Sequence, residues 1–185
     1  YYHVWDNYPY PDFNKNFYRS NDCIVSISKL TSDVVKTVAP DVKEVYLPHA
    51  VDNELFSKKD QSVIDMFLKE HFENHNTSDK FVFFWNSRNA KRKLSGSVIF
   101  WFKDFLDKVG HDKASLIMHT DVRDPHGQDL VAIVENLGLV NQEVIFSQQK
   151  LPAEALALLY NISDCVISIS DAEGFGLSNL EGLSC

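Results

Sequence analysis

From Phe81 onward the chain alternates between short apolar runs and amphipathic stretches long enough to be helices, and this constrains the fold more than any other feature. Residues 81–85 (FVFFW) are continuously apolar and stop at Asn86, which predicts a strand buried on both faces. Residues 97–109 predict a helix with Val98, Trp101, Phe102, Phe105 and Val109 on one face and Gly110 as its C′ residue. Strands are then expected over 115–118, 144–146 and 165–169, with helices over 128–137 (Gly138 again at C′), 152–160 and from Phe175 onward. Pro152 opens its helix at N1, where a missing N–H costs nothing. Strands separated by helices of this length need right-handed crossovers, so the fold class is α/β with a doubly wound parallel sheet.

Upstream, residues 22–28 (DCIVSIS) read as a buried strand, 29–38 as a helix ended before Pro40, and 42–46 as a further strand. Residues 48–52 form a turn-like connection, 60–72 a helix, and 71–80 a polar surface loop. The stretch from Tyr18 to Ser28 recurs from Tyr160 to Ser170 with six of eleven positions identical. Two explanations stand: two buried strands converged on similar residues, or the chain holds two Rossmann-like halves with equivalent strands.

Charge and cysteine content narrow the function classes. With 26 acidic against 18 basic residues the net charge is −8, which argues against a general nucleic-acid binder. Three widely spaced cysteines form neither a disulfide framework nor a zinc pattern, and suit a reducing, cytoplasmic compartment. Nowhere do 18 apolar residues follow one another. Both ends are expected to be cuts in a longer protein, because the first lies in an aromatic stretch and the last in an uncapped helical pattern.

Two motifs carry chemistry. Arg88-Asn89-Ala90-Lys91-Arg92-Lys93 follows the first strand of the regular alternation, and open parallel sheets bind ligands at their carboxyl edge. Its cations, with the next helix N-terminus, suit a diphosphate; a solvated basic loop is the plainer alternative. The second is Glu173-Gly174-Phe175-Gly176-Leu177-Ser178-Asn179-Leu180-Glu181, after the 165–169 strand. Its glycines allow close backbone approach, and a carboxylate suits vicinal hydroxyls; a simple glycine turn is the alternative here.

Together the two resemble the E-x7-E motif and the Arg/Lys loop of GT-B glycosyltransferases, specifically the family-4 retaining group. The 85 residues from Arg88 to Glu173 hold three βα units, as that donor domain requires. Ser26-Ile-Ser28, Leu47-Pro-His-Ala-Val-Asp52 and Phe56 are similar to the family's approach to its interdomain linker, with Ala50 in place of the usual glycine.

The resemblance implies a Rossmann-like donor domain over residues 53–185 and the end of an acceptor-side domain over 1–52. Arg88 and Lys93 would hold the donor diphosphate. Gly174, Phe175, Gly176 and Leu177 would present backbone N–H groups, Glu173 would act at the donor hexose as the catalytic carboxylate, and Glu181 would take the ribose hydroxyls. Implied partners are a nucleotide-diphosphate sugar and a carbohydrate or glycolipid acceptor, with no cofactor, no metal and no nucleic acid. Peripheral membrane association would belong to the full-length protein, and this stretch by itself would be inactive. A sugar-nucleotide epimerase of the same architecture and a non-catalytic α/β interaction module are the alternatives. Other residues are set aside: His71 and His75 as a metal pair, His119 and His126 beyond a polar rim, His49 beyond a structural role, Asp6, and the sequon at Asn161.

Overall fold

The structure, a computed structural model, describes residues 2–3, 10–73, 75, 77 and 79–185; Asp6 lies outside them. The chain divides into two compact units, Tyr1–Val51 with Ala172–Leu177, and Asp52–Asp171 with Ser178–Cys185.

In the smaller unit, β1 (Tyr2–His3), β2 (Ile24–Ser26) and β3 (Glu44–Tyr46) pair in parallel in that order. Helix α1 (Lys15–Arg19) precedes β2, and α2 (Lys29–Val38) follows it with the expected bounds. The Ser28 side chain starts α2 by accepting from the Thr31 N–H at 3.1 Å, an N-cap that turns the chain out of the strand. Tyr18, Ile24, Val34, Val35 and Val38 form its buried core. Helix α1 escapes the sequence reading because Tyr18 is its one buried residue, so no apolar period marks it.

The larger unit holds β4 (Phe81–Asn86), β5 (Ala114–His119), β6 (Val144–Ser147) and β7 (Cys165–Val166), all parallel in the order β6-β5-β4-β7. Helices α3 (Gln61–Phe72), α4 (Ser95–Val109), α5 (Leu130–Asn136), α6 (Ala153–Asn161) and α7 (Leu177–Ser184) accompany them. Alternate residues of β4 face opposite ways, as a strand dictates. Phe83 meets Phe102 and Phe105 of α4 at 5.9 and 5.6 Å between ring centroids, whereas Phe84 meets Tyr160 of α6 at 5.0 Å. Helices therefore cover both faces, and the expected doubly wound α/β architecture is observed. Strand order reverses between β4 and β7, the switch point at which such sheets open a crevice.

Three details differ from the sequence reading. The buried stripe of α4 runs through Val98, Ile99, Phe102 and Leu106, which face Trp85, Leu116 and Met118. Trp101 and Val109 fall at its margin and are exposed. Strand β7 is shorter than 165–169, because its partner β4 is engaged at Phe83 and Phe84 and pairing ends with Ile167 N–H donating to the Phe84 carbonyl. Helix α5 begins later than 128, since Asp129 serves as its cap, accepting from Ala132 N–H.

The internal repeat is structural. Tyr18 and Tyr160 are both buried in the last turn of a helix that leads into a strand, and the Cys23 and Cys165 thiols each lie 3.8 Å from the next residue's carbonyl oxygen. Two equivalent helix–strand steps, one per unit, favour two Rossmann-like halves over chance convergence. The sequon asparagine ties α6 to the chain before α3, because the Asn161 side chain accepts from Lys59 N–H at 2.8 Å and donates to the Ser57 and Ala157 carbonyls. Among the described residues no helix is long and apolar enough to cross a membrane.

At the amino edge of the sheet a buried carboxylate sets a pH dependence. Glu143 is fully buried and accepts from Asn141 N–H at 2.7 Å and from a His111 ring nitrogen at 3.1 Å. The other His111 nitrogen faces Asp107 at 3.1 Å, and only an imidazolium can donate to both carboxylates. Glu143 and Asp107 hold His111 above its ordinary 6.5. Burial pushes Glu143 up, but its hydrogen bonds outweigh this and leave it below its ordinary 4.5. The His111 contribution is therefore complete below pH 6.5 and lost as pH rises through its folded value; that of Glu143 is complete above 4.5 and lost in acid. We expect the difference in urea midpoint between wild type and His111→Ala to be largest near pH 5–6 and to shrink above neutrality. A difference independent of pH would show that the imidazolium contributes nothing.

Candidate functional site

Where β4 ends, Asn86, Ser87 and Arg88 lead into a loop pinned by Asn89, which is fully buried. Its Nδ2 donates to the Gln128 carbonyl at 2.7 Å, and its Oδ1 accepts from Ser95 Oγ at 2.7 Å and from Gln128 N–H at 3.2 Å. Gln128 returns its own Oε1 to Gly96 N–H at 3.0 Å, in the first turn of α4. Gly127 makes this closeness possible: a Cβ there would lie 2.2 Å from the Asn89 carbonyl oxygen. The loops after β4 and β5 are thus one rigid edge. The loop after β7 joins it, with Asp171 N–H donating to the Arg92 carbonyl at 2.9 Å.

Arg88 projects from this edge with a 61% exposed side chain. Its Nε and Nη2 donate to the two carboxylate oxygens of Asp124 at 2.6 and 3.1 Å, and Nη2 lies 2.8 Å from His126 Nδ1. This bidentate pair, with the His126 backbone N–H, holds the Asp124 carboxyl far below the usual carboxylate range. Lys93 ends the short 3-10 turn Lys91–Lys93 and is buried. His126 is more than a polar rim, and Asp124 and Gly127 join it at the site; the D-x-H-G turn after β5 is the one signal of them in the sequence.

A cleft of about 280 Å³ opens at the carboxyl ends of β4, β5 and β6, lined among others by Asn86, Arg88, His119, Thr120, Gln148 and Lys150. Thr120 Oγ1 is buried without a hydrogen-bond partner, a group that a ligand oxygen would satisfy. Burial lowers the pKa of His119, so it is neutral at pH 7, and its Nδ1 lies 2.9 Å from Ser147 Oγ. A larger cavity of about 620 Å³ lies beside Asp164 and Cys165 at the amino end of β7. Parallel sheets bind at their carboxyl ends, so the smaller cleft is the candidate.

Glu181 stands on α7 and is reached through a relay. Tyr160 Oη donates to Glu181 Oε2 at 2.6 Å and accepts from Asn86 Nδ2 at 2.9 Å. Asn86 therefore belongs both to the cleft with Arg88 and to the relay with Glu181. Glu173, Gly174, Phe175, Gly176 and Leu177 group instead with the smaller unit. There the Phe175 ring meets His49 edge-on at 5.2 Å, and Gly176 has φ +83°, a conformation that favours glycine. Among the described residues no cluster of three or more His, Cys, Asp or Glu could hold a metal ion.

No protein-family profile and no curated protein matches the chain. Solved structures do. An α,α-trehalose 6-phosphate synthase from Burkholderia multivorans aligns over 99% of this chain and 48% of its own, with a TM-score of 0.75 at 12% identity. The E. coli trehalose-6-phosphate structure bound with UDP-2-fluoro glucose aligns over 96% and 46%, at 0.68 and 12%. WaaG, a glycosyltransferase involved in lipopolysaccharide biosynthesis, aligns over 87% and 41%, at 0.69 and 13%. The chain thus has the Rossmann-like α/β fold of GT-B proteins and spans about half the length of these structures or less.

Proposed function

We propose that this chain carries the donor site of a glycosyltransferase that moves a hexosyl group from a nucleotide-diphosphate sugar to an acceptor with retention. What supports it best lies within the larger unit, where Asp171 N–H bonds the Arg92 carbonyl beside the switch point and Asn86 links the Arg88 cleft to Glu181 through Tyr160. In the reaction the bond from the anomeric carbon to the diphosphate oxygen breaks. The acceptor hydroxyl oxygen bonds to the same carbon and gives up its proton to solvent water, and the departing nucleoside diphosphate carries the negative charge. Arg88 and Lys93 would stabilise that charge without a metal ion. The backbone of Gly174–Leu177 would receive phosphate and sugar oxygens, Glu173 would act at the hexose, and Glu181 would accept from the ribose hydroxyls. Thr120 and His119 would receive the rest of the nucleotide in the cleft.

In this reading residues 53–185 form the donor domain, residues 1–52 belong to the acceptor side, and the acceptor is a carbohydrate or glycolipid. The same reading sets the protein in the cytoplasm.

Calorimetric titration with ADP, GDP, UDP and CDP in EDTA tests the proposal. One of them should bind, and Arg88→Ala with Lys93→Ala should weaken it at least tenfold. Each charge-assisted contact is worth about 1.5–3 kcal/mol, and the exposed, already paired Arg88 less. Equal affinity in the double variant, or strict dependence on magnesium, would overturn the assignment.

A further inference from the structure

Tyr160 connects the two halves of the candidate site, and neither motif includes it. Its side chain is buried between the Phe84 and Phe56 rings, which it meets edge-on at 5.0 and 6.1 Å. A buried phenol held this firmly has one proton to give. The amide Nδ2 of Asn86 can only donate, so the phenol proton goes to Glu181, and the short 2.6 Å bond is charge-assisted.

A second feature brings Glu181 within reach. Gly182, its neighbour, lies so close to β7 that an added Cβ would stand 2.7 Å from Val166 Cγ2 and 3.4 Å from Tyr160 Cδ1. Helix α7 is therefore pressed onto the strand and the tyrosine ring, with no side chain between them. Tyr160 occupies one of roughly four acceptor positions of the Glu181 carboxylate, and the others remain for a ligand.

We propose that Tyr160 is a positioning residue that fixes Glu181 in register with the carboxyl end of β4, so that the vicinal diol of a bound nucleotide is read there while the phosphates are held independently. This rests on the donor-site reading above. The lock acts on orientation: a carboxylate free to rotate loses two simultaneous hydrogen bonds to a diol more readily than a single contact.

Tyr160→Phe keeps the ring and removes the hydroxyl. Three probes separate the effects: the tightest-binding nucleoside diphosphate, its 2′,3′-dideoxy analogue, and inorganic pyrophosphate. The variant should bind the nucleoside diphosphate about tenfold more weakly and the dideoxy analogue and pyrophosphate as wild type does. Unchanged binding of all three, or equal loss on all three, would overturn the proposal. A wild type that binds pyrophosphate yet does not distinguish the diphosphate from its dideoxy analogue would refute the role of Glu181 instead. A wild type that binds none refutes the donor site and with it the diol assignment. The lock itself is read without ligand, from urea midpoints of Tyr160→Phe, Glu181→Gln and the double variant. Non-additive shifts are expected, and additive ones would show that the two side chains do not act together.

Discussion

Replacing Gly127 by alanine should lower stability by about 2–4 kcal/mol and abolish nucleotide binding. The new methyl would meet the Asn89 carbonyl oxygen at 2.2 Å and its Oδ1 at 2.3 Å, separations no Cβ tolerates. The obstructing atoms cannot swing aside, because Asn89 is fully buried and bonded to Ser95 and to Gln128 twice. Relief requires parting the loops after β4 and β5, which strands buried polar groups and moves Arg88, the preceding residue. Gly138→Ala is the control. Its φ of +71° is strained for alanine, but nothing lies within 4 Å of the added Cβ, so it should cost only about 1–2 kcal/mol and leave binding intact. Urea unfolding and calorimetry on both variants decide the matter. A Gly127→Ala protein that binds like wild type would mean that the two loops are not coupled.

The contrast between these glycines marks where sequence reading stops. Gly138 was legible because it ends an apolar period, a local signal. Gly127 answers to Asn89, 38 residues away, and no spacing announces that pairing. The same division runs through the fold. Strand β4 was legible because a strand buried on both faces must be continuously apolar, and α2 because Pro40 stands just past its end. The end of β7 was not, because Ile167 and Ile169 keep the alternation of a strand after the ladder with β4 has stopped at Val166. At the site, the cations of 88–93 and the Glu173–Glu181 stretch stood out by composition. The carboxylate that pairs with Arg88 did not, since Asp124 becomes a neighbour only once β5 lies beside β4. Tyr160 was visible as one half of an internal repeat, but its hydroxyl gains meaning only from α7 packing against it.

Phe84→Ala should cost about 3–5 kcal/mol, and it should reach the site as well as the core. Phe84 is fully buried in β4 and stands in register with Ile117 on β5 and Val166 on β7, so its loss opens a cavity where the sheet is flanked on both sides. Phe81, on the same strand but 47% exposed, supplies the comparison, and its truncation should cost about 1 kcal/mol or less. The wider consequence follows from Tyr160, whose ring rests edge-on against Phe84 at 5.0 Å. With Phe84 gone the tyrosine can tilt into the vacated space, and its hydroxyl then leaves Asn86 and Glu181. Diol recognition should therefore fall in Phe84→Ala as it does in Tyr160→Phe, although Phe84 touches neither carboxylate nor cleft. Phe84→Leu, which refills much of the volume, should recover part of both properties together. Stability and diol recognition should move in step across Ala, Leu and Phe at this position. Recovery of stability without diol recognition would show that filling the core does not suffice to seat the tyrosine.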